Sequence, residues 1–403
     1  MIILGIETSC DETGIAVVRG NKKKLTILSN IVASQIEVHK KWGGVMPLLA
    51  KREHQKNLVP VLLKSLKQAG LYKKILSQNQ SAGFKKKLAD ILTREPLLLP
   101  RVSRFFASCK IPEIDGIAVT NRPGLEPALW AGINFAKTLA FAWKKPLVGI
   151  DHLEGHLLMA HPFPRNPALS LVVSGGHTAL ILSKPRTTTS CIRGKRQGAY
   201  AIIGETRDDA AGEMLDKCSR LLGLGYPGGP AIAAMAAKIR NPKHEIRNKF
   251  NIALPRPMIH AKNYDFSFSG LKTAVLYDYR SRKVAVRKSK VYIRAMCFEL
   301  QQAMIDVLVT KTLAAAQEHK VKSLLLGGGV SANTELRKQI AARAKTQIPG
   351  VSLFMPTPEF CTDNGVMAAF AGYIHYRGVN LTRLRKSASR RIIASSHTSI
   401  PRL

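Results

Sequence analysis

The chain has 403 residues, enough for two hydrophobic cores rather than one. A hydrophobic share of 45% and a charged share of 22% are those of an ordinary globular protein, and no apolar run is long enough to span a bilayer. The 62 Lys and Arg against 26 Asp and Glu leave a net charge of +36, a self-repulsion that a polyanion such as nucleic acid relieves; a merely solvated basic surface is the alternative.

The opening segment, MIILGIETSC, has no charged region followed by an apolar core and a cleavage site, so no signal peptide and a cytoplasmic location are expected. The six cysteines are scattered without a CxxC pair, which suits separate reduced thiols. IILGIETSCDETGIAVV predicts strand, polar turn over Thr8–Thr13, and a return strand opened by Gly14, with LTILSNIVAS as a third strand. A helix is predicted over Val45–Ala69, with Pro47 near its start and Gly70 as its stop. Tyr72–Lys110 reads as a basic inserted arm in which Pro96 and Pro100 break any helix. DGIAVT is then a buried strand and Leu125–Trp143 a helix.

PLVGIDHLEGHLLMAH is a strand ending at Asp151, an N-cap for the helix that follows, with Glu154 as its capping-box partner. His152 and His156 stand four apart on that helix and share one face, a spacing that suits a transition metal and equally a pair of core or surface histidines. A metalloprotease helix would carry its glutamate directly after the first histidine, where Leu153 stands. A third ligand is needed, and Asp363, in the loop leading into the Ala-rich helix of PEFCTDNGVMAAFAGY, is a candidate; capping that helix is its other reading.

ALSLVVSGGHTALILS repeats the strand–turn–strand grammar of the N-terminus, with a turn at Ser174–His177, which suggests two lobes of related topology. TRDDAAGEMLDKCSRLLG predicts a helix capped by Thr206 and stopped at Gly223, with Asp209, Glu213, Asp216 and Arg220 on one face. That stripe is a solvated face, or Asp216 accepts from ribose hydroxyls. KSLLLGGGVSANTELRKQIAARA is a strand, a glycine loop and a helix capped by Ser331 or Asn333. The glycine-rich turns could admit a nucleotide to the backbone, although none matches a Walker loop or a dinucleotide fingerprint. Basic runs at 184–197 and 279–290 and a basic tail contain no acidic residue.

Taken in order, GIETSCDETG, GGVMPLLAKREH, KTLAFAWKKPLVGIDHLEGHL, LVVSGGHTALI, DDAAGEMLDK, GYPGGP, DFSFSGLKTA, GGGVSANTELR and CTDNGVMAA closely resemble one family, the universal tRNA adenosine threonylcarbamoyltransferases once taken for glycoproteases. The resemblance implies a two-lobed α/β fold of the actin/hexokinase-like ATPase kind, with duplicated ribonuclease-H-like lobes and, in this chain, basic insertions. On that plan residues 1–165 form the N-terminal lobe, with an insertion at about 72–110, and 166–364 the C-terminal lobe. Residues 365–385 are a helix returning to the first lobe, and 386–403 a basic, disordered tail.

The resemblance also implies one divalent metal per chain, iron(II) ahead of zinc, on His152, His156 and Asp363. Val172, Val173, Ser174, Gly175 and Gly176 match the family's nucleotide-contact strand and turn, and Asp216, Gly229 and Asn333 its ribose and adenine contacts. Asp11 and Glu12 match acidic residues that could orient or deprotonate the attacking amine; stabilising their turn is the alternative. The substrate implied is threonylcarbamoyl-AMP and the acceptor the adenosine next to the anticodon in tRNAs reading codons that begin with A. Expected partners are tRNA, a non-catalytic paralogue and a small ATPase, with no membrane. Other readings are a non-catalytic nucleotide- and tRNA-binding scaffold, a metalloprotease, or a sugar kinase of the same fold. Departures from the family pattern are Arg122 where glycine is common, Leu48 where glutamate is usual, and the long segments 72–110 and 184–197, which are expected to meet tRNA phosphates.

Overall fold

The computed structural model describes residues 1–21, 24–75, 79–160, 164–183, 200–239 and 250–377. The run at 184–197, the end of the returning helix and the tail 386–403 lie outside them. In chain order the elements are β1 (Ile2–Glu7), β2 (Glu12–Gly20), β3 (Leu25–Ser34), α1 (Ile36–His39), α2 (Pro47–Gln68), α3 (Ala82–Ile91), α4 (Leu99–Ser108), β4 (Gly116–Arg122), α5 (Glu126–Trp143), β5 (Leu147–Asp151) and α6 (His152–Ala160). There follow β6 (Ala168–Val173), β7 (Thr178–Ser183), β8 (Tyr200–Glu205), α7 (Ala211–Leu221), α8 (Gly228–Ala236), α9 (Ser269–Ser281), α10 (Val284–Arg287), α11 (Lys290–Glu318), β9 (Ser323–Gly327), α12 (Thr334–Gln347), β10 (Ser352–Phe354) and α13 (Gly365–Arg377). They divide into two compact units, Met1–Met159 with the chain from Asp363, and Ala160–Thr362.

Each unit holds a five-stranded mixed sheet, and the two sheets have the same plan. The first runs β3-β2-β1-β4-β5 and the second, read from its other edge, β8-β7-β6-β9-β10. In both, the first three strands are antiparallel neighbours, and the first strand pairs in parallel with the fourth and the fourth with the fifth. The expected duplication of ribonuclease-H-like lobes is therefore present strand by strand.

In the first unit β1 and β2 are buried on both faces, which is why they read as nearly continuous apolar runs. One face packs on α2, α4 and α5, where Leu58, Leu62, Val102, Phe135 and Leu139 join Leu4, Ile6 and Ile15 in one core. The other face carries α13. A Cβ on Gly5 would stand 2.2 Å from the Gly365 carbonyl oxygen, and one on Gly365 would stand 2.4 Å from the Ala16 nitrogen. Only glycine lets helix backbone lie directly on strand backbone here. That contact brings the start of α13 to the first hairpin.

Several local expectations change. Glu12 and Thr13 belong to β2 rather than to the turn, because their pairing with Ser34 and Ala33 extends the strand. Within Tyr72–Lys110, read as an inserted arm with no helix, α3 and α4 form and bury Leu88, Val102, Phe105 and Phe106 in the first core. Pro100 does not break α4; it sits in the first turn, where a missing N–H costs nothing. Thr206 does not cap α7, which starts at Ala211; its hydroxyl donates instead to the Asp209 carbonyl.

Candidate metal centre and nucleotide-binding loops

Asp151 accepts from the backbone N–H of Leu153 at 3.0 Å and of Glu154 at 3.4 Å, and so starts α6 as expected of an N-cap. Glu154 does not complete a capping box; its carboxylate meets His375 Nε2 of α13 at 2.9 Å. Arg122, at the end of β4, lies 3.5 Å from Asp151, so this departure from the family pattern touches the cap of the histidine-bearing helix. Leu48, by contrast, is 77% exposed.

His152 and His156 are buried on one face of α6, with ring centroids 4.6 Å apart. Asp363 Oδ1 lies 3.5 Å from His152 Nε2 and 3.3 Å from His156 Nε2. It does not cap α13. Asn364 takes that task, accepting from the Val366 N–H at 3.0 Å, and this leaves the Asp363 carboxylate to face the imidazoles. The donor atoms of the three residues fall within 4.8 Å of one another, a two-histidine, one-carboxylate set that could hold a divalent ion with positions left open. Among the described residues, buried His156 Nδ1 has no hydrogen-bond partner, and Nε2 has only the 3.3 Å approach of Asp363. Such atoms are costly to bury unless something binds them.

Behind these ligands stands a second layer that the sequence reading missed. Glu7, fully buried at the end of β1, accepts from Ser9 N–H at 2.6 Å and Thr120 Oγ1 at 2.5 Å. His152 Nδ1 approaches Glu7 Oε2 at 3.3 Å and Ser9 Oγ at 3.2 Å. With Nδ1 donating to Glu7, Nε2 is the nitrogen that faces Asp363 and that would be free to ligate an ion once its proton is lost. Burial works against the charge of Glu7, but the imidazole of His152 beside it holds its carboxyl below the usual range. Burial also opposes a proton on His152, yet Asp363 and Glu7 together raise it to about 9. His156 moves the other way, because burial, helped by the neighbouring His152, outweighs the carboxylates of Asp363 and Glu7. The signal for Glu7 was present in the sequence as a lone carboxylate in an otherwise apolar strand.

Asp11 is buried in the hairpin turn and Glu12 opens β2. Burial, and then the carboxylates of Asp11, Asp363 and Glu7, hold the Glu12 carboxyl well above its ordinary range. The structure thus sets Glu12 within electrostatic reach of Asp363, with Asp11 beside it in the turn. His54 braces the turn: its Nε2 donates to the Cys10 carbonyl at 3.0 Å while Nδ1 accepts from Thr13 Oγ1 at 2.8 Å. Burial lowers it to about 4, so it is neutral at pH 7.

The second unit groups the predicted nucleotide-contact residues in its own way. Val172 and Val173 end β6, and the Ser174 hydroxyl accepts from His177 N–H at 3.1 Å, closing the turn. Side chains added at Gly175 and Gly176 would meet open space. The start of α7 abuts this turn, with Gly212 N–H donating to the Ser174 carbonyl at 3.2 Å. The loop after β9 reaches the same place: Gly328 has φ +86°, and a Cβ there would lie 2.4 Å from the Val173 oxygen. Asp216, one turn along α7, accepts from the Gly228 N–H at 2.6 Å and so ties α7 to the start of α8 beside Gly229. Between the two capping candidates for α12 the structure selects Asn333, which accepts from Leu336 N–H at 3.0 Å and donates to Gln301 at 2.8 Å. Glycine-bounded backbone from three loops therefore converges at one end of the second sheet.

The model of the family described as tRNA N6-adenosine threonylcarbamoyltransferase matches residues 26–78 and 96–370. A protein of that name from Syntrophomonas wolfei is 40% identical over 381 residues, 93% of this chain and 92% of its own. Its namesake from Geobacillus kaustophilus is 41% identical over 379 residues, 93% of this chain and 92% of its own. Among solved structures, HypF of T. kodakarensis is similar with a TM-score of 0.51 at 13% identity, over 94% of this chain and 48% of that one. At that identity the likeness shows the fold alone.

Proposed function

Because the chain belongs to the tRNA N6-adenosine threonylcarbamoyltransferase family and is a tRNA-modifying transferase, we propose that it moves the threonylcarbamoyl group from threonylcarbamoyl-AMP to the exocyclic amine of the adenosine beside the anticodon. The tRNAs concerned read codons that begin with A.

The carrying observation is the approach of one Asp363 oxygen to the Nε2 atoms of His152 and His156 within a site already crowded by carboxylates. Two imidazoles, each neutral once it ligates, and a carboxylate suit a divalent ion, iron(II) ahead of zinc, and the burial of His156 against Asp363 fits a ligand role. When bound, such an ion supplies Lewis-acid polarisation of a carbonyl or phosphate oxygen. Glu7 keeps the His152 ring in the orientation and tautomer that present Nε2. Asp11 and Glu12 orient the adenosine amine, and one of them takes its proton as the nitrogen attacks the carbamoyl carbon and AMP leaves. Burial and the neighbouring carboxylates raise the affinity of Glu12 for a proton, which suits the role of proton acceptor.

In the second unit, the Val172–Gly176 turn offers backbone to the adenylate, and Asp216, Gly229 and Asn333 serve its ribose and base. A base carried in a single-stranded loop can be splayed out for such chemistry. A cytoplasmic location suits a tRNA substrate, and among the described residues no helix is long and apolar enough to cross a membrane. Turnover is expected to need a non-catalytic paralogue and a small ATPase as partner subunits.

The test is mass spectrometry of tRNA nucleosides from a strain in which this chain replaces the resident enzyme. Modified adenosine should be restored by the native chain and lost with His156→Ala. Restoration by both chains would remove the metal-centred reading, and restoration by neither would remove the assigned reaction.

A further inference from the structure

The first unit carries a second feature that the transfer chemistry does not use. A cavity of about 360 Å³ opens between α2 and α4, lined by Arg52 and Lys56 from one helix and Arg101 and Arg104 from the other, with Pro96 and Leu97 among its apolar walls. Arg52 and Lys56 are four apart on α2, and Arg101 and Arg104 three apart on α4, so each pair shares a helix face. Lys56 is held by Glu53 at 2.6 Å. The guanidinium groups of Arg52, Arg101 and Arg104 have no carboxylate partner among the described residues, and all three side chains are exposed.

The wall of this cavity is firmly built. Glu95, fully buried, accepts from Asn134 Nδ2 at 2.6 Å and lies 3.5 Å from Lys51 Nζ. Leu97 N–H donates to Gln55 Oε1 at 3.2 Å, and Leu98 is fully buried. A buried carboxylate left without its partners is expensive, so its pairing with α2 and α5 fixes the turn that leads into α4. Glu95 ends the stretch that separates the two family-matched segments.

We propose that this cavity is a docking site for the phosphodiester backbone of the tRNA substrate. Planar guanidinium groups grip phosphate oxygens in pairs, and the apolar wall suits a ribose face. Phosphate contacts position a nucleic acid without reading its sequence, which suits an enzyme that must accept several tRNAs. The proposal rests on the tRNA substrate of the preceding reading but not on the metal centre.

The experiment measures equilibrium binding of unmodified tRNA transcript to the full chain across a series of salt concentrations. The variants compared are Arg52→Gln/Arg101→Gln/Arg104→Gln and Arg52→Lys/Arg101→Lys/Arg104→Lys. Loss of three phosphate contacts should lower the slope of log affinity against log salt by about 2 to 3 and weaken binding at least about tenfold at low salt. The lysine variant should keep most of the slope, since charge is retained. An unchanged slope and affinity in the glutamine variant, with an unaltered melting curve, would overturn the proposal. So would a variant that binds tRNA normally but loses a partner subunit, since the cavity would then be a protein interface. Because binding is read without turnover, failure of the transfer reaction is distinguishable from failure of the docking site.

Discussion

Glu7 Oε2 lies 3.3 Å from the Nδ1 edge of the His152 ring, while Asp363 Oδ1 lies 3.5 Å from its Nε2 edge. A single imidazole is thus held between two carboxylates, one at each ring nitrogen. The first comes from the opening strand and the second from the start of the last helix.

Glu7→Gln keeps the shape of the side chain and removes the charge that His152 Nδ1 faces. Metal affinity should fall by about 10- to 100-fold, and transfer activity should recover at raised metal concentration. Titration of the metal-stripped protein, followed by activity at saturating metal, checks this. Unchanged affinity would assign Glu7 to packing alone.

His156→Leu separates ligation from stability. Replacing the buried ring by an apolar side chain relieves the unpartnered Nδ1 but removes the Nε2 contact with Asp363, so the metal-stripped protein should change in stability by no more than about 1–3 kcal/mol. Added metal should then stabilise the native chain and leave the variant unmoved. Thermal melts with and without iron(II) or zinc read both effects.

Metal binding should release a proton. His152 binds its proton up to a pH of about 9, and a metal needs the neutral ring. Apparent affinity should therefore rise by nearly tenfold per pH unit between about 7 and 9 and level off above. Calorimetry in buffers of different ionisation enthalpy reports the proton count.

His54 contributes in the opposite sense. Its proton affinity is depressed to about 4 in the fold, against 6.5 for an unperturbed ring, so the unfolded chain binds the proton first as pH falls. The stability it contributes is complete above pH 6.5 and is lost between there and pH 4, on the order of 3 kcal/mol in all. His54→Gln should flatten the stability profile across that window, as measured by denaturant unfolding at successive pH values.

Gly212→Ala tests the second unit on its own. The added Cβ would lie 2.5 Å from the Ser174 carbonyl, so the turn or the start of α7 must shift. Binding of AMP should weaken at least tenfold while metal content in the first unit stays the same. Equal AMP affinity in both chains would remove the Val172–Gly176 turn from the nucleotide site.

What the amino-acid sequence determined by itself was local. Asp151 capping α6, the two histidines on one face of that helix and the stop at Gly223, with φ +72°, each depend on residues within a few positions of one another. The two strand–turn–strand hairpins were legible for the same reason, and with them the duplicated lobes. Only the tertiary structure decided which distant groups meet. Asp363 could equally have capped its helix until Asn364 was seen to do so, and Glu7 looked like one polar residue among apolar ones. Proline and lysine content made 72–110 look detached, yet Leu88, Val102 and Phe105 are buried, because a helix needs only one apolar face to join a core. Backbone contact at Gly5 and Gly365 sets the meeting of the first hairpin with the last helix, and surfaces that touch through missing side chains leave no periodic trace in the sequence.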